Sequence, residues 1–93
     1  MESEAILDAL VEIARESGVT VRVIPRATAR EGEPLPASDV CVIRGEPWLL
    51  LAAGESLEDR IAAAARAVQR FAPDIAETRF LPPAIRARLD PPS

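Results

Sequence analysis

The side chains able to carry catalysis are few in this chain. It has no His and a single Cys, Cys41. A His general base, a Ser-His or Cys-His pair and a His-containing zinc site are therefore excluded, and one Cys cannot build a four-cysteine metal site. The glycines are scattered singly, so no glycine-rich phosphate loop is present. We expect no catalytic, cofactor-binding or metal-binding residues, no cofactor, and no enzymatic activity.

The remaining charged side chains are carboxylates and guanidinium groups, with a formal net charge of -4. Residues 1–56 carry five Arg against ten acids, and residues 57–93 carry six Arg against five acids. A protein that binds a phosphate backbone concentrates its cations on one face, so nucleic acid is disfavoured as a partner. Arg79, Arg86 and Arg88 are either a small basic patch or solvated residues of the tail, and we favour the latter.

The single cysteine and the N-terminal residues bear on cellular location. One Cys rules out an internal disulfide and favours a reducing compartment. The acidic N-terminus is unlike a secretory signal, and no apolar run reaches the roughly eighteen residues of a membrane span. We expect a cytoplasmic protein with no membrane partner. Cys41 is either a small buried hydrophobic residue, which we favour, or a reactive thiol.

The elements that must position these side chains follow from the periodicity of the sequence. Residues 4–17 have the pattern of an amphipathic helix, with Ser3 as its N-cap and Gly18 as its left-handed stop. Residues 19–24 alternate as a strand. Residues 26–39 contain Pro and Gly and lack an apolar period, which predicts a long surface loop.

A hairpin is predicted for residues 40–52. Gly45 favours a tight reversal, but Pro47 has no N–H to close a turn that starts at Gly45. We therefore predict an open or longer loop over Arg44 to Pro47. Trp48 to Ala52 is apolar throughout, and such continuous runs are typical of strands covered on both faces. This pattern predicts the central strand of the sheet.

A second helix is predicted after Ser56, which opens a Ser-x-x-Asp capping box. The helix should end near Phe71, because Pro73 stops it. Residues 74–81 are expected to be extended or turn-like, and Pro82-Pro83 to open a last short helix that Pro91-Pro92 end. Its docking residues are predicted to be Ile85 and Leu89. The buried stripe of the second helix is predicted to be Leu57, Ile61, Ala64, Ala65, Val68 and Phe71.

These elements predict a single α+β domain over residues 1–93. Two main helices pack on one face of a three-stranded sheet, and residues 74–93 close the domain as a C-terminal latch that carries a short helix. The other face of Trp48 to Leu51 then needs cover from the C-terminal segment or from a second copy, since a large exposed apolar surface usually marks an interface.

Three segments resemble those of small, mostly uncharacterised bacterial proteins. They are a Cys-x-x-x-Gly hairpin at Cys41 to Gly45, a capped Ala/Leu helix at Ser56 to Phe71 and a Leu-Pro-Pro-Ala-x-Arg ending at Leu81 to Arg86. The resemblance implies this fold and a cytoplasmic setting, and it implies no activity.

The order helix, strand, hairpin, helix also resembles the core of zincin-type metallopeptidases, particularly the compact family that cleaves phage and stress-response repressors. That family carries Arg-Phe-x-x-Ala-His-Glu-x-Gly-His in the helix after the hairpin. Laid on residues 60–69, Ala65 and Gln69 replace the metal-binding His residues and Arg66 replaces the catalytic Glu. The resemblance thus implies a scaffold without its metal site. The positions that fit are Arg60, Ile61 and Ala64.

The sequence as a whole predicts a non-enzymatic protein-interaction module, either a homodimer or a partner of another protein. One alternative is an inactive or regulatory domain of metallopeptidase ancestry, which zinc analysis would test. A weaker alternative is a nucleic-acid accessory protein, for which binding must weaken as salt rises. Trp48 is either a core residue, which we favour, or a surface anchor. The candidate interface residues are Trp48, Leu50, Phe80 and Leu81.

Overall fold

The computed structural model describes residues 1–26, 32 and 36–90. Its strands form one sheet in the order β1-β3-β2, with β1 parallel and β2 antiparallel to the central β3. The α+β class and the central position of the Trp48 strand are confirmed. The elements are α1 (Ser3–Glu16), β1 (Thr20–Ile24), β2 (Asp39–Ile43), β3 (Glu46–Ala52), α2 (Leu57–Phe71), α3 (Ile75–Thr78) and α4 (Pro83–Leu89).

Helix α1 buries one apolar stripe, as its periodicity predicts. The prediction of Ser3 as N-cap is wrong, because Ser3 is the first helical residue and the capping position belongs to Glu2, whose side chain makes no cap hydrogen bond. Gly18 has φ +90, which confirms the left-handed stop. The buried residues of α1 are Ile6, Leu7, Leu10, Ile13 and Ala14.

The reversal between β2 and β3 is a two-residue turn, so the prediction of an open or longer loop over Arg44 to Pro47 is wrong. Ile43 pairs directly with Glu46, and the central residues Arg44 and Gly45 have φ of 52 and 81. Positive φ at both central positions is characteristic of a type I′ turn, whose twist suits a hairpin.

Pro47 fits this arrangement because of the hydrogen-bonding phase of the ladder. The pair that flanks a two-residue turn exchanges hydrogen bonds, and the next pair does not. Pro47 lies in that next pair, opposite Val42. Its missing N–H would have faced away from β2, so the ladder loses no bond there.

Helix α2 begins as predicted, with the Ser56 Oγ accepting a hydrogen bond from the Asp59 N–H at 3.1 Å. Its buried face is wider than the predicted stripe, because it includes Ala63 and Ala67, but Leu57 and Phe71 at the helix ends are only half-buried. At 3.6 residues per turn, the buried positions span about 200° of the helix. The width arises because α2 packs against β3, α1 and α4 together. Its buried residues are Ile61, Ala63, Ala64, Ala65, Ala67 and Val68.

The C-terminal segment packs on the helices. It contains the short helix α3 where an extended or turn-like segment was expected, and then α4, which contacts α2 and α1. Ile85 is 1 % exposed and Leu89 packs against the core, which confirms both as docking residues. The predicted stop at Pro91-Pro92 lies outside the described residues, as do positions 27–31 and 33–35 of the predicted loop.

Ion pairs fix this segment at both ends. Arg88 donates to both carboxylate oxygens of Glu58, at 2.7 and 3.0 Å, and Arg79 pairs with Glu16. These pairs connect α4 to α2, and the residue after α3 to the last turn of α1. Two of the three arginines of the suggested basic patch are thus paired with acids.

Candidate functional site

The candidate site is the face of the sheet that points away from the helices. Leu49 and Leu51 belong to the core cluster that α1 and α2 share with the sheet. Because side chains alternate along a strand, Trp48, Leu50 and Ala52 point to the opposite face. Ala52 agrees with this assignment, since it is 1 % exposed yet lies outside that cluster.

Strand pairing arranges this face in rows, because residues opposite each other on neighbouring strands share a face. The register pairs β3 with β1 on one side and with β2 on the other. We call the resulting surface the open face. Its rows are Thr20-Trp48-Cys41, Arg22-Leu50-Asp39, Ile24-Ala52 and, beside the turn, Glu46-Ile43.

The open face has an apolar centre and charged margins. Trp48 and Leu50 are half-buried on the central strand, and Ile43 on β2 is 41 % exposed. Arg22 is exposed on β1, with its guanidinium carbon 5.9 Å from the centroid of the Trp48 ring, within cation–π range. Asp39 is exposed on β2. Opposite charges therefore flank the apolar centre on opposite strands.

Trp48 is neither the enclosed core residue that we favoured nor a freely exposed side chain. Its ring is half-buried, and its Nε1 is enclosed with no hydrogen-bond partner among the described residues. An unpaired enclosed N–H costs about 1–3 kcal/mol. A depression of about 470 Å³ adjoins the ring and is lined by Ile43, Arg44, Glu46 and Trp48.

Cys41 lies on the open face directly opposite Trp48 and is half-buried with a free thiol. It is therefore only partly the buried hydrophobic residue that the sequence favoured. Cross-strand packing against an aromatic ring is a usual role for a small soft side chain in this position.

The other two candidate interface residues lie elsewhere. Phe80 is 85 % exposed in the connection between α3 and α4. Leu81 is 2 % exposed and belongs to the core cluster, which corrects its assignment as a surface contact. Helix α4 begins two residues later, at Pro83, so Leu81 is enclosed where that helix docks. Only Trp48 and Leu50 of the four candidates share the open face.

A group of hydrogen bonds, called the clamp below, connects the residue before β2 to the end of β3. It lies at the end of the open face near Ala52. The Ser38 Oγ accepts from the Ala52 N–H at 2.9 Å, and the Ser38 N–H donates to Glu55 Oε1 at 2.5 Å. Hydrogen bonds from the Ser38 hydroxyl and backbone hold the pKa of Glu55 below its ordinary value. Sequence analysis missed this clamp, because its residues are 17 positions apart and no local pattern connects them.

The positions that would hold metal in a zincin carry no ligands here. Ala65 is buried, while Arg66 and Gln69 are exposed and the Gln69 Nε2 donates to the Leu89 carbonyl at 2.8 Å. Within residues 1–26, 32 and 36–90, no group of three or more His, Cys, Asp or Glu is arranged to hold a metal ion. Gln69 instead helps to fix the end of α4.

Comparison of the chain with protein-family models, curated proteins and solved structures found no match. In the described part of the chain, no helix combines the length and apolar character needed to cross a membrane.

Proposed function

We propose that the protein is a non-catalytic interaction module that associates with a second copy of itself through the open face. The observation that supports this is the position of Trp48 and Leu50, which lie on the central strand but on the side of the sheet opposite α1 and α2. Removing such apolar surface from water favours association.

The C-terminal segment is not the cover, since α4 packs on α1 and α2. A second copy is the alternative that the sequence had left open. The charged margins of the open face favour a second copy. Arg22 and Asp39 give one surface both of the charges that a symmetric contact needs.

The small area of the open face limits the expected affinity of the dimer. Three strands about 4.8 Å apart and five residues long cover roughly 14 by 17 Å of sheet. This is about 240 Å², well below the roughly 800 Å² that each partner buries in a stable interface, so the contact belongs to the weak, transient class. We expect a dimer with a Kd in the micromolar range or weaker, populated only at high local concentration.

Sedimentation equilibrium between micromolar and millimolar concentrations measures this association directly. Trp48, the single Trp, supplies a second signal, because its emission should shift to the blue as the open face is covered. Leu50→Glu should abolish both effects. Phe80→Glu is the matched control, since Phe80 is the most exposed large apolar side chain among the described residues yet lies outside the open face.

Two results would contradict the proposal. One is a wild-type protein that stays at its monomer mass of 10.0 kDa throughout the concentration range. The other is a dimer that survives Leu50→Glu in a variant whose circular dichroism and melting remain native-like.

A further inference from the structure

We infer that the two copies pack open face to open face about a two-fold axis that runs parallel to β3, so that Arg22 of each copy pairs with Asp39 of the other. The inference rests on the proposed function, because it assumes that the open face is the self-association surface. It adds the orientation of the partner and the residues that determine it.

The row through Leu50 carries the argument. Arg22 on β1 and Asp39 on β2 are both register partners of Leu50, so the row reads base, apolar residue, acid across the sheet. A 180° rotation about an axis parallel to β3 exchanges the β1 and β2 sides and keeps each row at its own level. Leu50 then lies opposite Leu50, and each Arg22 lies opposite an Asp39.

Both side chains are exposed. Among the described residues, neither Arg22 nor Asp39 has an ion-pair partner. The arrangement also keeps the strands of the two sheets nearly aligned, which is a common way for sheets to pack.

A two-fold axis in the interface but perpendicular to β3 is less favourable. It lays β1 on β1 and β2 on β2. With the axis over Leu50, Arg22 faces Arg22 and Asp39 faces Asp39, which is repulsive. Shifting that axis along the strand separates the like charges but forms no Arg22–Asp39 pair.

Joining two β2 edges into one continuous sheet is also disfavoured. Val40 lies opposite Leu49 in a pair that does not exchange hydrogen bonds, so its N–H faces outward. That N–H is already bound by the Asp39 Oδ1 at 2.8 Å. An edge strand blocked by an acidic side chain resists pairing. The Oδ2 of the same carboxylate is left for Arg22 of the second copy.

Glu46 gives the orientation an independent test. It shares its face and strand with Trp48 and Leu50, so it lies next to the parallel axis and opposite Glu46 of the second copy. Like charges at that point weaken the dimer. About a perpendicular axis the two Glu46 residues would lie at opposite ends of the interface.

The experiment is a set of charge variants whose dimer Kd is measured by sedimentation equilibrium, with melting curves to verify folding. Arg22→Asp and Asp39→Arg should each raise the Kd about tenfold, because two symmetric pairs become repulsive. The double variant Arg22→Asp/Asp39→Arg should return to within about threefold of wild type. Glu46→Gln should lower the Kd.

The controls separate this geometry from general charge effects. Arg86→Asp and Glu12→Arg make the same changes in net charge at exposed positions on α4 and α1 and should leave the Kd nearly unchanged. Asp39→Asn keeps an acceptor for the Val40 N–H while removing the charge, and it should also weaken the dimer. Asp39→Arg is the sharpest case, because it reduces the net negative charge and yet must weaken association.

Single variants without effect, a double variant as weak as the single variants, or a Glu46→Gln variant with unchanged Kd would overturn the inferred axis. If Leu50→Glu still abolished the dimer in that case, the open face would stand as the interface and only its orientation would be wrong. A wild-type monomer at every concentration would overturn both proposals.

Discussion

Enlarging the side chain at Ala64 tests whether α2 packs tightly between the sheet and the other helices. The Ala64 side chain is 0 % exposed, and its neighbours Ala63 and Ala65 are also buried. Ala64→Leu adds three carbon atoms at a fully buried position, so side chains or helices must shift. Overpacking of this kind costs about 1–3 kcal/mol. A domain of 93 residues has a total stability of about 5–14 kcal/mol, so the loss is measurable.

Ala62→Leu is the matched control, because Ala62 lies on the same helix with its side chain exposed. The substitution changes helix propensity by the same small amount and should alter the unfolding free energy by less than about 0.5 kcal/mol. The loss of unfolding free energy for Ala65→Leu should lie between the losses for Ala64→Leu and Ala62→Leu. Ala65 borders a depression of about 360 Å³ next to α4, which can accept part of the larger side chain.

Urea unfolding at low micromolar protein concentration is the appropriate assay, because association would add to the apparent stability of the native state. The midpoint should fall for Ala64→Leu with an unchanged m-value. The melting temperature should fall by about 4–8 °C per kcal/mol lost. Equal midpoints for Ala64→Leu and Ala62→Leu would refute the packing of α2 between sheet and helices.

Three further predictions concern local structure. Ser56→Ala should cost about 1 kcal/mol in urea unfolding through loss of the α2 cap, whereas Ser3→Ala should be neutral, and equal costs would contradict the observed start of α1. Arg44→Asn should stabilise the hairpin by about 1 kcal/mol, because Arg44 has φ 52 and Asn-Gly suits a type I′ turn; a lower urea midpoint would argue against that turn. Glu55→Gln should destabilise the protein at neutral pH, since Ser38 lowers the folded-state pKa of Glu55. That contribution is fully present above the ordinary pKa near 4.5 and disappears as pH falls through the lowered value, so the two stability curves should converge in acid; a constant difference would contradict the clamp.

Local rules explain what could be predicted of the fold. The cap at Ser56, the stop at Gly18 and the central apolar strand all depend on residues close together in the chain, and each is confirmed. The turn prediction failed because it placed Gly45 at the first central position. The observed turn places Arg44 there, in a conformation that a side chain adopts only at a cost.

The candidate site, too, could be predicted only in part from the sequence. Sequence alone identified Trp48 and Leu50 as apolar residues in need of cover, because an uninterrupted apolar strand is visible without any fold. It did not place Arg22 and Asp39 on either side of them. The position of Asp39 depends on the two-residue turn, which sets the register of β2 and which was predicted wrongly, and the position of Arg22 depends on β1 pairing with β3 across a long separation in the chain. The sequence by itself determined which strand carries the surface. The tertiary structure decided which charges flank it. The two-residue turn sets the register of β2, and the burial of one face of the sheet against α1 and α2 sets the register of the distant strand β1.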